Sequence, residues 1–239
     1  MSKLGSVYLI PNTLGGENIS DVLPSVNLQK MEEISYFVVE TLKVARRFLK
    51  KCGYTKDFSE VTFFELNKRT HPSDIQRFLK PLKEGEHLGV ISDAGCPGVA
   101  DPGAALVALA HQMGARIKPL VGPSSILLTL MASGFNGQSF AFHGYLPKER
   151  KDRVRHLLYL EQTVQKTGAT QLFMDTPFRN NNVLEDLMVS LKPDTLLCIG
   201  SNLTMENERT TTMTIKEWKT KSIDIHKQPA MFAIGRFES

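Results

Sequence analysis

Short runs rich in β-branched and aromatic residues alternate with longer stretches of helical periodicity along most of this 239-residue chain, and no other feature constrains the fold as strongly. The runs SVYLIPN (6–12), YFVVE (36–40), VTFFEL (61–66), HLGVISD (87–93) and RIKPLVG (116–122) have the length and composition of strands. Between them, LQKMEEIS, TLKVARRFLKKCG, SDIQRFLKPLKEG and ALVALAHQMGA read as helices; the second is basic and amphipathic and closes at Gly53, and the third starts at a Ser73 N-cap and stops at Gly85. Strand and helix in strict turn imply a largely parallel sheet covered on both faces. After GPSS (122–125) the pattern restarts: helix 124–133, strand FAFHGYL (140–146), a charged helix from about 149 to 166, and strand TQLFMD (170–175). Helix NNVLEDLMVSL (181–191), strand TLLCIGS (195–201), a polar Thr-rich stretch (204–214) and a closing strand AMFAIGRF (230–237) complete it. The expectation is two α/β domains with mostly parallel sheets, residues 1–121 and 122–239, hinged at Gly122 and Pro123. A hydrophobic content of 41% is enough to bury such cores.

Several function classes drop out. The longest apolar runs, such as SSILLTLMA (124–132), fall far short of the ~20 residues of a membrane span. MSKLGSVYLIPNT lacks the apolar stretch of a signal peptide, so a soluble cytoplasmic protein is expected. Cys52, Cys96 and Cys198 are odd in number and without CxxC spacing, which argues against a disulfide framework or a structural zinc site. There is no GxGxxG, GxxxxGK[ST], HExxH or GxSxG, and the six histidines include no pair at metal-ligand spacing, so there is no basis for a metal. The net charge of +4 permits an anionic partner without demanding one.

In an open parallel sheet, ligands lie beyond the carboxyl ends of the strands. Four loops occupy that position: PNTLGG (11–16), SDAGCPGVADPG (92–103), VGPSS (121–125) and DTPFR (175–179), all rich in Gly, Pro, Ser, Thr and Asp. Such residues also make ordinary turns, but here they would let backbone groups approach a ligand and offer acceptors to it. The central loop holds no Lys or Arg, so it suits a neutral or cationic ligand better than a polyphosphate.

LIPNTLGGENISDVL, YFVVETLKVARRFLKKCG, the long segment from LGVISDAGCPGVADPG through GPSSILLTLMASGF, FAFHGYLPKER and QLFMDTPFRNNNVLEDL together resemble, in order and spacing, the tetrapyrrole methylase superfamily. Within it they are most similar to the branch that methylates a ribose 2'-hydroxyl of small-subunit ribosomal RNA. The resemblance implies two α/β domains, a homodimer, and S-adenosyl-L-methionine held in a cleft between domains. A cationic sulfonium would account for a loop that offers acid rather than base. It also implies cofactor contacts from Pro11, Ser92, Asp93, Ala94, Gly95, Ser124, Ser125, Thr176, Ala230 and Met231. Asp93 can also form an Asx-turn and Ser124 and Ser125 a helix N-cap, roles compatible with binding.

The acceptor side departs from the branch's pattern. Glu40 matches its first acid, but Thr41 stands where the branch has an aspartate and Lys43 where it has an arginine. Ser201 and Asn202 replace an ion pair, Met205 a lysine, and His143 a glutamate. Glu40, Lys43, Asp175 and Arg179 are the candidates for handling the acceptor, each also readable as a surface ion-pairing residue. LPKERKDRVRHLLYL (146–160) clusters Lys148, Arg150, Lys151, Arg153 and Arg155, the footprint of a phosphate backbone or a solvated helix face. The leading expectation is therefore an S-adenosylmethionine-dependent methyltransferase acting on RNA of the small ribosomal subunit. The alternatives are a methyltransferase for a small molecule such as a tetrapyrrole, motivated by the rewritten acceptor residues, and a protein that binds the cofactor or RNA without turnover.

Overall fold

The computed structural model describes residues 4–237; residues 1–3, part of the stretch read for a leader, lie outside them. The chain divides into two units, residues 1–124 and 125–239. The first contains β1 (Ser6–Ile10), α1 (Ser25–Glu32), β2 (Tyr36–Val39), α2 (Leu42–Lys51), β3 (Thr62–Glu65), α3 (Pro72–Phe78), α4 (Lys80–Lys83), β4 (Leu88–Ile91), α5 (Gly103–Gln112) and β5 (Arg116–Pro119). Its sheet has the order β3-β2-β4-β1-β5, and every pairing is parallel. Both faces are covered, as continuous apolar strands require. Tyr8, Ile10, Phe37 and Val39 point into one core with Phe48 and Leu49 of α2, while Val7, Val38, Leu88 and Val90 point into the other with Leu106 and Ala110 of α5. The run 73–85 is two helices rather than one: Pro81 has no N–H to continue the ladder, and the chain breaks at Leu79. The first of them starts two residues earlier than the serine cap implied, with His71 as N-cap accepting from the Ser73 amide.

The second unit contains α6 (Ser125–Ser133), β6 (Phe140–Tyr145), α7 (Arg150–Thr167), β7 (Thr170–Met174), α8 (Asn180–Ser190), β8 (Leu196–Ser201), β9 (Arg209–Thr214), α9 (Ile215–Trp218) and β10 (Ala230–Gly235). Its order is β6-β7-β10-β8-β9, and only β6 and β7 run parallel. The expectation of a mostly parallel sheet is thus corrected here: β10 is antiparallel to β7 and β8, and β8 to β9. For β8 and β9 the reason is the short connection, residues 202–208, which cannot hold the crossover a parallel pair needs. The Thr-rich stretch is itself the edge strand β9, because β-branched threonines suit a half-buried edge. One face buries Leu157, Leu160, Leu184, Leu187 and Trp218 against the sheet, and the other packs Leu130 and Phe135 on Leu172, Cys198 and Ala233.

Candidate functional site

The parallel strands of the first unit are in phase, with Ile10, Ile91 and Val39 paired across one row. Their following loops therefore leave the sheet side by side. Asn12 ties two of them together: its amide N–H donates to the Gly95 carbonyl at 2.9 Å, and its Nδ2 donates to the carbonyls of Ser92 and Asp93, both at 3.1 Å. The Ser92 hydroxyl, expected to face a ligand, is buried and donates to the carbonyls of Ala94 and Gly95 at 3.1 and 3.2 Å, so it braces the loop from within. Gly95 takes φ +66°, a left-handed conformation that glycine reaches without penalty. Gly122 brings the 121–125 loop against Pro11 so closely that a Cβ would lie 2.2 Å from the proline ring. The Cys96 thiol adds a contact to the Pro123 carbonyl at 3.4 Å. Pro11 and Gly95 are buried, whereas Asp93 and Ala94 are exposed at the rim. Ser124 ends the first unit and Ser125 opens α6.

Acidic groups gather at this corner. Glu40 Oε2 accepts from the Asp93 amide at 3.2 Å, and the Thr41 hydroxyl donates to Asp93 Oδ2 at 2.8 Å. Burial raises the Glu40 pKa; the Asp93 amide opposes that shift, and the charges of Asp93 and Asp101 add to it. Asp101, not singled out from the sequence, accepts from the Gly98 amide at 2.8 Å and the Gly103 amide at 2.6 Å. It thereby clamps the loop to the start of α5, and burial raises its pKa too. Asn12 was likewise missed; the signal available was its place directly after a strand-ending proline. Lys43 lies exposed in the first turn of α2 and does not pair with Glu40. Among the described residues, no group of three or more His, Cys, Asp or Glu side chains is arranged to hold a metal ion.

In the second unit, Asp175 and Thr176 follow β7. Asp175 is buried; its Oδ1 takes the Thr176 amide at 2.6 Å and the Arg179 guanidinium at 2.5 Å, while Oδ2 has no hydrogen-bond partner among the described residues. Ala230 and Met231 begin β10, opposite Ser201 and Gly200 of β8. A cavity of about 490 Å³ in this unit is lined by residues including Ile199, Ser201, Asn202, Arg209, Met213 and Trp218. It includes the two acceptor-side positions Ser201 and Asn202, Ser201 lying opposite Ala230 in the sheet, but none of the glycine loops.

The basic stretch before and within α7 is not the free cluster its sequence suggests. Arg153 is buried, with Nε and Nη2 on Asp186 Oδ2 at 2.8 and 2.7 Å and Nη1 on the Lys148 carbonyl at 2.8 Å. Arg150 holds the other Asp186 oxygen at 2.8 Å, and Arg155 pairs with Asp152 at 2.9 Å. Arg153 is therefore withdrawn from the expected RNA contacts, because its charge is spent within the fold. Lys148 and Lys151 remain exposed without ion pairs among the described residues.

The chain is similar in sequence and in fold to known proteins. The chain is 30% identical to ribosomal RNA small subunit methyltransferase I of Halalkalibacterium halodurans over 187 residues, 78% of this chain and 61% of that protein. It is 28% identical to the protein of the same name from Bacillus subtilis over 225 residues, 90% of this chain and 70% of that one. The chain thus spans about three fifths to seven tenths of these relatives' length. The crystal structure of the methyltransferase CobJ superposes with a TM-score of 0.63 at 18% identity, covering 97% of this chain and 94% of that one, which is a likeness of fold. A family profile matches residues 28–219, most of both units, and by that match the chain belongs to the Tetrapyrrole (Corrin/Porphyrin) Methylases.

Proposed function

We propose that the protein is an S-adenosylmethionine-dependent methyltransferase that acts in the cytoplasm on a ribose 2'-hydroxyl of small-subunit ribosomal RNA. The observation that carries the reading is the Ser92–Gly95 loop: it ends a parallel strand, is braced from inside by Asn12 and Ser92, and presents Asp93 with no cation in it. That donor set fits a sulfonium nucleoside. Asp93, Ala94 and Gly95, with Pro11 and Ser124, are the first unit's candidates for holding the cofactor; Ser125, Thr176, Ala230 and Met231 are those of the second unit. When bound, the cofactor supplies an electrophilic methyl group for in-line displacement, and the protein's part is positioning and proton handling. Glu40 is the candidate base, since burial raises its pKa toward the range where a carboxylate accepts a proton usefully near neutral pH. Lys43, Asp175 and Arg179 are the further candidates for handling the acceptor. Sedimentation is expected to show a homodimer.

Two experiments test the reading. Calorimetry with S-adenosylmethionine should show binding, and Asp93→Ala, which removes the acceptor of the Thr41 hydroxyl and the exposed charge of the loop, should weaken it by about tenfold, the worth of one charge-assisted hydrogen bond. Unchanged affinity would contradict the loop assignment. Incubation with methyl-labelled cofactor and small ribosomal subunits from a strain lacking this protein should place label on a ribose. Binding with no transfer to RNA or to tetrapyrroles would leave a non-catalytic binder instead.

A further inference from the structure

The basic helix at the start of the chain behaves differently from α7. Lys43, Arg46, Arg47, Lys50 and Lys51 fall within the ten residues of α2, which contains no acid. Its apolar face, Ala45, Phe48 and Leu49, is spent on the core. Lys51 alone of the five makes an ion pair among the described residues, with Glu17 at 3.2 Å. The others are exposed, and Lys43, Arg47 and Lys50 recur on successive turns as one stripe. The neighbours that do engage this face are aromatic: the Arg46 guanidinium lies 5.2 Å from the Phe63 ring and 5.7 Å from that of Phe58, and the Lys50 ammonium lies 5.7 Å from Phe58. A ring orders a cation without neutralising it, so these charges are held in place and remain available. The stripe also begins at the candidate site, because Thr41, directly before α2, bonds Asp93 of the central loop.

We propose that this face of α2 binds the phosphate backbone of single-stranded RNA and leads it toward the Glu40–Asp93 corner. The inference rests on the RNA reading given under Proposed function. An anionic membrane is the poorer match, since a helix lying in a bilayer surface needs its apolar face free, and here that face is buried.

The test is fluorescence anisotropy of a labelled single-stranded RNA oligonucleotide from the small subunit, titrated across a range of salt. The proteins are the wild type, K43Q/R47Q/K50Q and K148Q/K151Q, each checked for folding by thermal unfolding; phosphatidylserine vesicles form a second arm. With a salt slope of about 0.7 per phosphate contact, each lost contact costs about fivefold near 0.1 M salt, so the α2 variant should bind roughly 100-fold more weakly with a slope lower by about 2. The α7 variant removes only the two lysines left unpaired there and should lose less than the α2 variant, at most the roughly 25-fold that two contacts cost; a larger loss there than on α2 would overturn the placement. If the wild type binds RNA in a salt-dependent way and the α2 variant matches it within about twofold, the placement on α2 is overturned while the RNA reading stands. If the wild type ignores RNA but binds vesicles through α2, the RNA reading fails.

Discussion

Two helices, α2 and α7, carry nearly the same cationic inventory, yet the fold treats them in opposite ways. On α2, five cations in ten residues face solvent or aromatic rings, and one of them is in an ion pair. Around the start of α7, three of five are paired, two of them on Asp186 of α8. The difference teaches that a basic run is not yet a basic surface. What decides is whether another element folds an acid back onto it. Asp186 does so for α7, while α2 meets rings that fix a guanidinium and leave its charge intact. Two arginines of α7 are therefore used to join helices, and most of the charge on α2 is left for a partner.

The sharpest way to break the contrast is at Arg153. Arg153→Ala should cost about 3–5 kcal/mol in urea unfolding, because Asp186 is left buried with Arg150 alone. A loss below about 1 kcal/mol would mean that the α7 cations are not structural after all, contrary to what burial of an ion pair requires. Next comes the roughly 100-fold RNA affinity loss expected from neutralising the α2 stripe. Arg46→Ala should have a smaller effect, about 1 kcal/mol of stability from its two ring contacts, read from the same unfolding curves. The smallest effect is expected at the foot of α2. Burial lifts the Glu40 pKa above its ordinary 4.5, so ionisation in the folded state costs stability. Glu40→Gln should therefore match the wild type in acid and gain on it as pH rises from about 4.5 through the raised value, levelling off above it. A stability difference that does not change with pH would remove Glu40 as a perturbed carboxyl.

Much of the first unit was legible in advance. Its first four strands are short runs rich in apolar residues, each followed by a helix, so the parallel sheet and the loops at its carboxyl ends follow from local pattern. The acceptor-rich, cation-free character of residues 92–95 was equally visible. The second unit hid more. The threonines of β9 look polar in sequence and become a strand only beside β8, and the antiparallel pairing depends on a connection that a strand-helix count passes over. Ser92 and Asn12 exchange the roles their types suggest: the hydroxyl braces and the amide joins two loops, because both lie inside the turn. The pairing of Arg153 with Asp186 links two helices through tertiary contact, and no local periodicity encodes it.

The strand order of the first unit has a consequence for synthesis. β1 is made first, yet its two neighbours are β4, at Leu88–Ile91, and β5, at Arg116–Pro119. At roughly 5–20 residues per second, the leading strand emerges and waits several seconds with both edges open before either partner exists. Its sequence, Ser6–Ile10, is among the most apolar of the unit and is buried on both faces once folded. The ribosome thus holds an unpaired, aggregation-prone edge until Arg116–Pro119 has been translated, and this unit closes only when that last strand arrives.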